Sequence, residues 1–334
     1  MKVIAGLLLS LTLFVAACGS PSDEPPGWVD EDVSFTDSAN GAGLTIHGTY
    51  RHQPGAPQGP AALLISESGN TDRNGDNAVA GPVGNMRQLA ELLSDKGVAS
   101  LRYDKVGTGE TGLGPYARRP ADVGSSVYTA GAKAAVRYLA EQSATEASRI
   151  SVYAVGEGTI HAMALATDTN VGAPKIHSLG LFQPLPGRYL DIITDRVRAS
   201  AGPEALNNWL AAVDQVRTKG TVAPNLPEGL GALLNPGNVN AVIEADEIDP
   251  LVLAAKVPAG TPVLLTCSDA DKQATCASVK PLADALKHTA LTVVDLKGVS
   301  HVLRDDPTDN VANYAKPDPL SPQLTEALDA FVGK

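Results

Sequence analysis

Residues 150–167, ISVYAVGEGTIHAMALAT, contain the strand, turn and helix that indicate the fold. The first six residues form a short apolar run of the kind found in a buried strand. Two glycines separated by one residue follow, and residues 159–167 are then rich in helix-forming side chains. The segment therefore predicts a buried strand that leads into a helix through a sharp glycine turn.

The same alternation of strands and helices runs through most of the chain. It predicts strands at residues 44–50, 61–66, 98–103, 176–182, 262–266 and 291–296, with helices between them and a last helix that begins at Ser321-Pro322. Such interleaving is typical of a mostly parallel α/β sheet that helices cover on both faces. Residues 187–250 break the pattern, since they contain helix-like stretches and Gly/Pro-rich loops without a clear strand. We expect them to form an inserted helical cap.

The amino-acid composition and the net charge limit the kinds of function that the chain can have. The chain has 334 residues, of which 43% are apolar and 19% charged, and these values are typical of a globular protein. The formal net charge of −11 argues against a general nucleic-acid binder, because such a protein needs a basic surface to neutralise phosphates.

The amino terminus has the pattern of an export signal. Residues 1–18 read MKVIAGLLLSLTLFVAAC, in which one lysine precedes an apolar run that is too short for a transmembrane helix. Its last four residues resemble a bacterial lipobox, which implies cleavage after residue 17 and lipidation of Cys18. We therefore expect a lipid-anchored protein on the extracytoplasmic side of the cell membrane or envelope. Residues 18–31 are rich in Pro, Ser and acidic side chains, and we interpret them as a flexible tether.

Two cysteines remain after such processing, Cys267 and Cys276. Because an exported protein meets an oxidising compartment, we expect them to form a disulfide. A metal site is not expected, since two thiols without a nearby histidine make a poor ligand set.

Four segments together resemble the α/β-hydrolase superfamily, in particular its bacterial esterase-type branch. The resemblance extends over roughly residues 33–332, and the four segments occur in the order found in that superfamily. They are SESGNTDRNGDN (66–77), similar to the branch motif G-S-G-P-x-D-R-D-G-N; LRYDKVGTGET (101–111); YAVGEGTIH (153–161); and VSHVLRDD (299–306). The resemblance implies an α/β-hydrolase fold in residues 32–334, with the cap at about residues 187–250.

The resemblance also implies a catalytic triad in the order serine, acid, histidine. His301 matches the histidine. The acid follows the strand at residues 262–266, where the register favours Asp271 and leaves Asp269 as an alternative. Without a serine, the same His301 and Asp271 would equally fit a structural hydrogen-bonded pair.

The nucleophile position departs from the superfamily pattern. Alignment of Glu157-Gly158 with the superfamily's S-E-G places Gly156 where the serine should stand, and the other possible register places Gly158 there. A glycine has no hydroxyl, so no acyl-enzyme can form at that turn. Thr159 lies at the helix start and is not expected to replace the serine.

A second departure follows the third strand, where Glu67 replaces the superfamily's glycine. A carboxylate there would oppose a developing oxyanion by like-charge repulsion. We expect Glu67, Ser68, Asp104 and Glu157 to border the vacated pocket. The pairs Asp72–Arg73 and Asp104–Lys105 are interpreted as turn-fixing, and His161 as a residue of the helix face.

Two hypotheses follow. The first is a catalytically degenerate lipoprotein that binds a partner or a small-molecule ligand of acyl or polar character, with a preference for cationic or polyhydroxyl groups. The second is an active carboxylic-ester hydrolase in which His301 and Asp271 activate water, or in which Glu67 acts as base or nucleophile. No cofactor is expected, because GTGETGLG at residues 107–114 has the composition of a phosphate loop but lacks its strand and helix context.

Overall fold

The computed structural model describes residues 27–39, 43–224 and 226–332. The predicted signal peptide, Cys18 and most of the predicted tether lie outside these residues. Within them, eight strands form one sheet in the order β1-β2-β4-β3-β5-β6-β7-β8. The strands are β1 (Val29–Asp37), β2 (Leu44–His52), β3 (Gly59–Ile65), β4 (Ala99–Tyr103), β5 (Thr145–Val155), β6 (Ile176–Phe182), β7 (Pro262–Ser268) and β8 (Ala290–Leu296).

The sheet is mostly parallel, as predicted. Strand β2 pairs antiparallel with β1 and with β4, and every other pairing is parallel. The predicted tether extends too far, because Val29 already pairs with His52 at the start of β1. β1 is an edge strand whose first residues are exposed, so it carries the charges of a solvated segment and lacks the apolar run of a buried strand.

Helices cover both faces of the sheet. Side chains of β3 and β5 alternate between two apolar cores, as the pleat of a strand requires. Helices α2, α3 and α8 pack on one core, and α1 and α9 on the other. The helices are α1 (Asn85–Ser94), α2 (Ser125–Ala140), α3 (Gly158–Ala166), α4 (Tyr189–Ser200), α5 (Pro203–Lys219), α6 (Val239–Glu247), α7 (Pro250–Ala254), α8 (Cys276–Ala285) and α9 (Pro322–Phe331).

The segment between β6 and β7 contains α4 to α7 and, among its described residues, no strand. Helices α4, α5 and α6 enclose a separate apolar core around the fully buried Trp209. Asp246 of α6 links the three helices through hydrogen bonds. Its carboxylate accepts them from Arg188, which precedes α4, from the backbone N–H of Leu190 in α4 and from Arg217 in α5. We call residues 187–250 the cap.

The cap is joined to the sheet domain by Glu244 of α6. Its carboxylate accepts a hydrogen bond from the backbone N–H of Ser126 in the first turn of α2. A helix amino terminus favours a negative charge, because its first N–H groups have no partner within the helix. Gly124 permits this approach, since a Cβ there would lie 1.9 Å from a Glu244 carboxylate oxygen.

Cys267 and Cys276 form the predicted disulfide. Cys267 lies in β7 and Cys276 begins α8, so the bond closes the loop that carries Asp271. Asp295 lies beside the two sulfurs, but sulfurs bonded to each other are not available as thiolate ligands. Among the described residues, no helix is both long and apolar enough to span a membrane.

Candidate functional site

The turn between β5 and α3 has the geometry of a nucleophile elbow. Strand β5 ends at Val155, and Gly156 follows with a φ of +53°, a left-handed conformation that suits glycine. Gly158 then begins α3 against the sheet, where a Cβ would lie 2.7 Å from the carbonyl oxygen of Ile65. The two glycines therefore permit a sharp turn and a close packing of helix on strand.

His301 and Asp271 come together beside this turn. Asp271 lies in the loop after β7 and His301 in the loop after β8, and the carboxyl ends of adjacent parallel strands share one edge of the sheet. The imidazole Nδ1 lies 2.9 Å from Asp271 Oδ2, and both side chains are buried. The alternative acid, Asp269, instead accepts a hydrogen bond from the backbone N–H of Gly298.

Asp309 connects the loop that carries Asp271 to the loop that carries His301. One oxygen of its buried carboxylate accepts the backbone N–H of His301 at 2.9 Å and the hydroxyl of Tyr314 at 2.6 Å. The other oxygen accepts the backbone N–H of Lys272, the residue after Asp271, at 3.1 Å. Asp309 thus fixes the positions from which Asp271 and His301 meet.

Glu67 lies over the turn, between His301 and the amino end of α3. Its Oε2 lies 2.8 Å from His301 Nε2, the nitrogen that faces the nucleophile in a serine hydrolase. Its Oε1 accepts the backbone N–H of Ser68 at 2.6 Å and that of Glu157 at 3.1 Å. In hydrolases with a nucleophile elbow, the residue after the nucleophile and the loop after the third strand supply the two oxyanion donors. Glu67 therefore occupies the donors that would stabilise an oxyanion.

The same carboxylate occupies the space above Gly156. A Cβ on Gly156 would lie 1.4 Å from Glu67 Oε2, far inside van der Waals contact. The sequence predicts a vacated pocket at this position, and that prediction is wrong because Glu67 points into it. Glu67 also does not simply border the pocket as a repelling charge, since it is itself the anion that the two N–H groups bind.

Three ionisable side chains lie in a row at this centre, with His301 between the acidic residues Asp271 and Glu67. We call this row the charge line. Burial alone would lower the pKa of His301, but the hydrogen bonds and charges of Asp271 and Glu67 outweigh it and raise that pKa to about 10. Burial would raise the pKa of Glu67, but His301 and the N–H groups of Ser68 and Glu157 lower it to about 2. At neutral pH the centre is therefore an imidazolium held between two carboxylates.

Lys105 stabilises the backbone of the loop that carries Glu67. Its buried Nζ donates to the backbone carbonyl of Glu67, to the carbonyl of Ser66 at 3.1 Å and to the Ser66 hydroxyl at 3.0 Å. A lysine ammonium has three N–H donors, so all of them are used. Burial lowers the pKa of Lys105, and the charges of Glu157, Glu67 and other nearby carboxylates oppose that effect.

The other predicted loop residues lie around this centre in structural positions. Asp104 is buried and accepts the backbone N–H groups of Arg73 and Glu110, and neither Glu67 nor His301 is among its partners. It is therefore a turn-fixing residue, and the predicted pocket position is wrong for it. Asp72 closes its own loop by accepting the N–H groups of Asn74 and Asp76.

Two polar residues of α3 are also structural. Thr159 donates its hydroxyl hydrogen to the carbonyl oxygen of Gly156 at 2.6 Å, so it stabilises the turn. His161 is buried, and its Nδ1 lies 2.9 Å from the Thr129 hydroxyl. Burial, assisted by the charge of Lys105, lowers the pKa of His161 to about 3 and keeps the ring neutral.

Glu157 faces a small cavity between the sheet domain and the cap. The cavity has a volume of about 20 Å³, and Glu157 lines it together with Ser125, Ile160, Leu185, Gly187, Tyr189, Ala245, Ile248 and Pro250. A single water needs about 10–15 Å³, whereas ligand pockets usually measure about 300–1,000 Å³. At this size the cavity holds about one water molecule.

Solved hydrolase structures share this fold at low sequence identity. An esterase from Pyrococcus furiosus, Pf2001, superposes with a TM-score of 0.54 and 17% identity over 92% of each chain. Est1E from Butyrivibrio proteoclasticus, solved with ferulic acid, gives 0.55 and 18% over 84% of this chain and 97% of that one. The α/β hydrolase GrgF from a Penicillium species gives 0.53 and 17% over 82% and 91%.

These likenesses confirm the predicted α/β-hydrolase fold. No protein-family model and no curated protein matches the chain.

Proposed function

We propose that this protein is an envelope lipoprotein that uses an α/β-hydrolase fold to bind a ligand or partner and does not catalyse acyl transfer. The observation that carries this proposal is the position of the Glu67 carboxylate. One of its oxygens accepts the two N–H groups of an oxyanion hole, and the other faces His301 Nε2.

Each component of acyl transfer is absent or engaged at this centre. The nucleophile position is Gly156, which has no side chain. The base would be His301, which at neutral pH already carries its second proton between two carboxylates and so has no free electron pair to accept another. The oxyanion donors already hold an anion, so a developing oxyanion would have to displace it.

The alternative, an active ester hydrolase, would use Glu67 as base or nucleophile or would use water activated by His301. It is less well supported for two reasons. A carboxyl with a pKa of about 2 is a weak base, and a carboxylate fastened by three hydrogen bonds is a poor nucleophile.

The lipid anchor and the envelope location rest on the sequence. Residues 15–18, VAAC, provide the lipobox, and residues 3–15 the short apolar run before it. A disulfide in the folded domain is consistent with export, since such bonds persist in oxidising compartments.

Hydrolysis of p-nitrophenyl acetate and butyrate by the full chain in detergent micelles tests the non-catalytic proposal. We expect no turnover above the micelle blank for the wild type. Gly156→Ser alone should also be inactive, because its Cβ collides with Glu67 Oε2. The double variant Glu67→Gly/Gly156→Ser should gain turnover, since it frees both the nucleophile position and the oxyanion donors.

Two further variants make the result decisive. Adding His301→Ala to the double variant should remove the gained turnover, because the new serine needs a base. Wild-type turnover that Glu67→Gln abolishes would overturn the proposal and favour Glu67 as nucleophile. Attack by Glu67 on the ester carbonyl would release p-nitrophenolate and leave a mixed anhydride of Glu67 and the acyl group. Hydrolysis of that anhydride in H₂¹⁸O would place ¹⁸O in the Glu67 carboxylate wherever water attacks the glutamyl carbonyl.

A further inference from the structure

An open groove lies between the cap and the sheet domain. It has a volume of about 610 Å³, which is within the range of about 300–1,000 Å³ that is usual for ligand pockets. The residues of the charge line do not line it, so it is a separate feature of the molecule. Its lining consists of Arg196 in α4 of the cap, Lys272 and Gln273 in the loop after β7, and residues 308–311 and Tyr314 after β8. We call it the cap groove.

Two cationic side chains of the cap groove have no carboxylate partner among the described residues. Arg196 donates from Nη2 to the side-chain oxygen of Gln273 at 2.9 Å. Lys272 Nζ donates to the backbone carbonyl oxygens of Thr308 at 2.8 Å and Asp309 at 3.4 Å. A guanidinium has five N–H donors and an ammonium three, so most donors of Arg196 and one of Lys272 are not used by these contacts. Both side chains are exposed, so these donors are accessible to a ligand.

The acidic residue that lines the groove and the one that precedes Arg196 are both already paired. Asp309 is buried, and its carboxylate accepts two backbone N–H groups and the hydroxyl of Tyr314. Asp195 forms an ion pair with Arg198, one turn further along α4. The exposed charges in the lining are therefore both positive, although the whole chain has a formal net charge of −11.

We propose that the cap groove binds an organic anion whose phosphate or carboxylate group lies between Arg196 and Lys272. A guanidinium donates two parallel hydrogen bonds to such a group, and a lysine adds a compact positive charge. Val311, which is 47% exposed in the same lining, offers an apolar surface to the hydrocarbon part of the ligand. The inference goes beyond the proposed function, because it holds whether or not the centre at Glu67 is catalytic.

A ligand bound in this way would connect the cap to the sheet domain. Arg196 belongs to the cap and Lys272 to the loop after β7, so an anion that contacts both spans the boundary. The hydrogen bond from Arg196 to Gln273 already joins the two parts at this place. Binding should therefore slow amide hydrogen exchange in α4, because a ligand that binds only the closed arrangement makes opening less frequent.

Calorimetric titration of the full chain in non-ionic detergent micelles, at neutral pH and low salt, tests this proposal. The probes are n-butyl phosphate and butyrate, with n-butanol as their neutral match. We expect at least one of the two anions to bind and n-butanol not to bind. The affinity should fall as NaCl is added, because salt screens exposed charges. The tighter of the two anions identifies phosphate or carboxylate as the preferred group.

Three variants locate the binding. Arg196→Gln and Lys272→Gln should each weaken the binding of the anion by about fivefold or more, since each removes charge-assisted hydrogen bonds. Arg198→Gln is the matched control, because it removes an exposed arginine of the same helix that pairs with Asp195 and does not line the groove. It should leave the affinity within about twofold of the wild type. If Lys272→Gln does not fold, Arg196→Gln decides the question, because Arg196 is at an exposed helix position.

The proposal is overturned if neither anion binds at concentrations up to about 10 mM, or if n-butanol binds as well as the anions. It is also overturned if Arg198→Gln weakens binding as much as Arg196→Gln, since net charge alone would then account for the effect. Unchanged hydrogen exchange in α4 at saturation would contradict a ligand that spans the boundary. Ester hydrolysis does not enter these measurements, so a negative result leaves the non-catalytic proposal unaffected.

Discussion

Glu67 is the residue that most changes the interpretation of this site. Its sequence position after β3 could be predicted from the resemblance, as could the glycine at position 156. The direction of its side chain could not, because its partners lie 90 and 234 positions away in Glu157 and His301. Local sequence carries no information on which distant N–H groups a carboxylate will reach.

Asp309 was missed for a similar reason. It lies in a polar loop where an acidic residue is common, and its role depends on contacts with His301, Lys272 and Tyr314. The feature that singles it out is structural, since Asp309 has a φ of +43°. Non-glycine residues rarely adopt that conformation, and they do so mostly where the surroundings hold them.

Glu67→Gln tests whether the charge line raises the pKa of His301. Removing one of the two carboxylates should lower the titration midpoint of His301 from about 10 by more than about one pH unit, because each neighbouring opposite charge favours the imidazolium. NMR of the histidine ring nitrogens measures this titration midpoint. Glu110→Gln, which removes an exposed partner of Arg73, is the control and should leave the midpoint unchanged.

The same variant should change the stability at alkaline pH. The folded-state pKa of His301 lies above its unfolded value of 6.5, so its contribution is complete below pH 6.5 and is lost as the pH rises toward 10. Glu67 has a lowered pKa, and its contribution is lost only as the pH falls from 4.5 toward 2. The wild type should therefore lose at least about 2 kcal/mol of unfolding free energy between pH 6.5 and 10, and Glu67→Gln clearly less. Equal losses in urea titrations of both proteins would contradict the charge line.

Elements differed in how well the sequence predicted them. The buried strands β3, β4 and β5 were found because strands covered on both faces need continuous apolar runs. β1 was missed because an edge strand with exposed acidic side chains has the composition of a linker. The attachment of the cap to α2 was not predicted, since it depends on Glu244 reaching a helix 118 residues earlier in the chain.

Glu244→Gln tests that attachment. Loss of the charge at the amino terminus of α2 should lower the free energy of unfolding by about 1 kcal/mol. It should also accelerate amide hydrogen exchange at Ser126 and in α6, because the cap then separates from α2 more often. Hydrogen exchange with mass spectrometry measures this. Glu247→Gln on the same helix should leave exchange unchanged, and identical exchange in both variants would argue against Glu244 as the attachment.

At the scale of the whole molecule, the fold was predictable and the activity was not. Alternating strands and helices are enough to specify a mostly parallel sheet, and the solved hydrolases share it at 17–18% identity. The fold supports several chemistries, so function has to be argued from the site. Here the site differs from an acyl-transfer centre at two positions, Gly156 and Glu67.

Cys18→Ser tests the expected membrane attachment of the whole protein. The variant loses the sulfur that the lipobox would lipidate, so it should move from the detergent phase to the aqueous phase in Triton X-114 partitioning. Its melting temperature should stay within about 2 °C of the wild type, because the described fold begins after this segment. Equal partitioning of both proteins would contradict lipidation.

The fit of Glu67 over Gly156 also makes these two positions epistatic, so that the effect of a substitution at one depends on the residue at the other. A Cβ at position 156 would lie 1.4 Å from Glu67 Oε2, so a side chain there requires the carboxylate to move. That movement breaks the hydrogen bonds of Glu67 with His301 and with the N–H groups of Ser68 and Glu157. A substitution at position 156 should therefore have a different effect in the wild type than in a variant with a small residue at position 67.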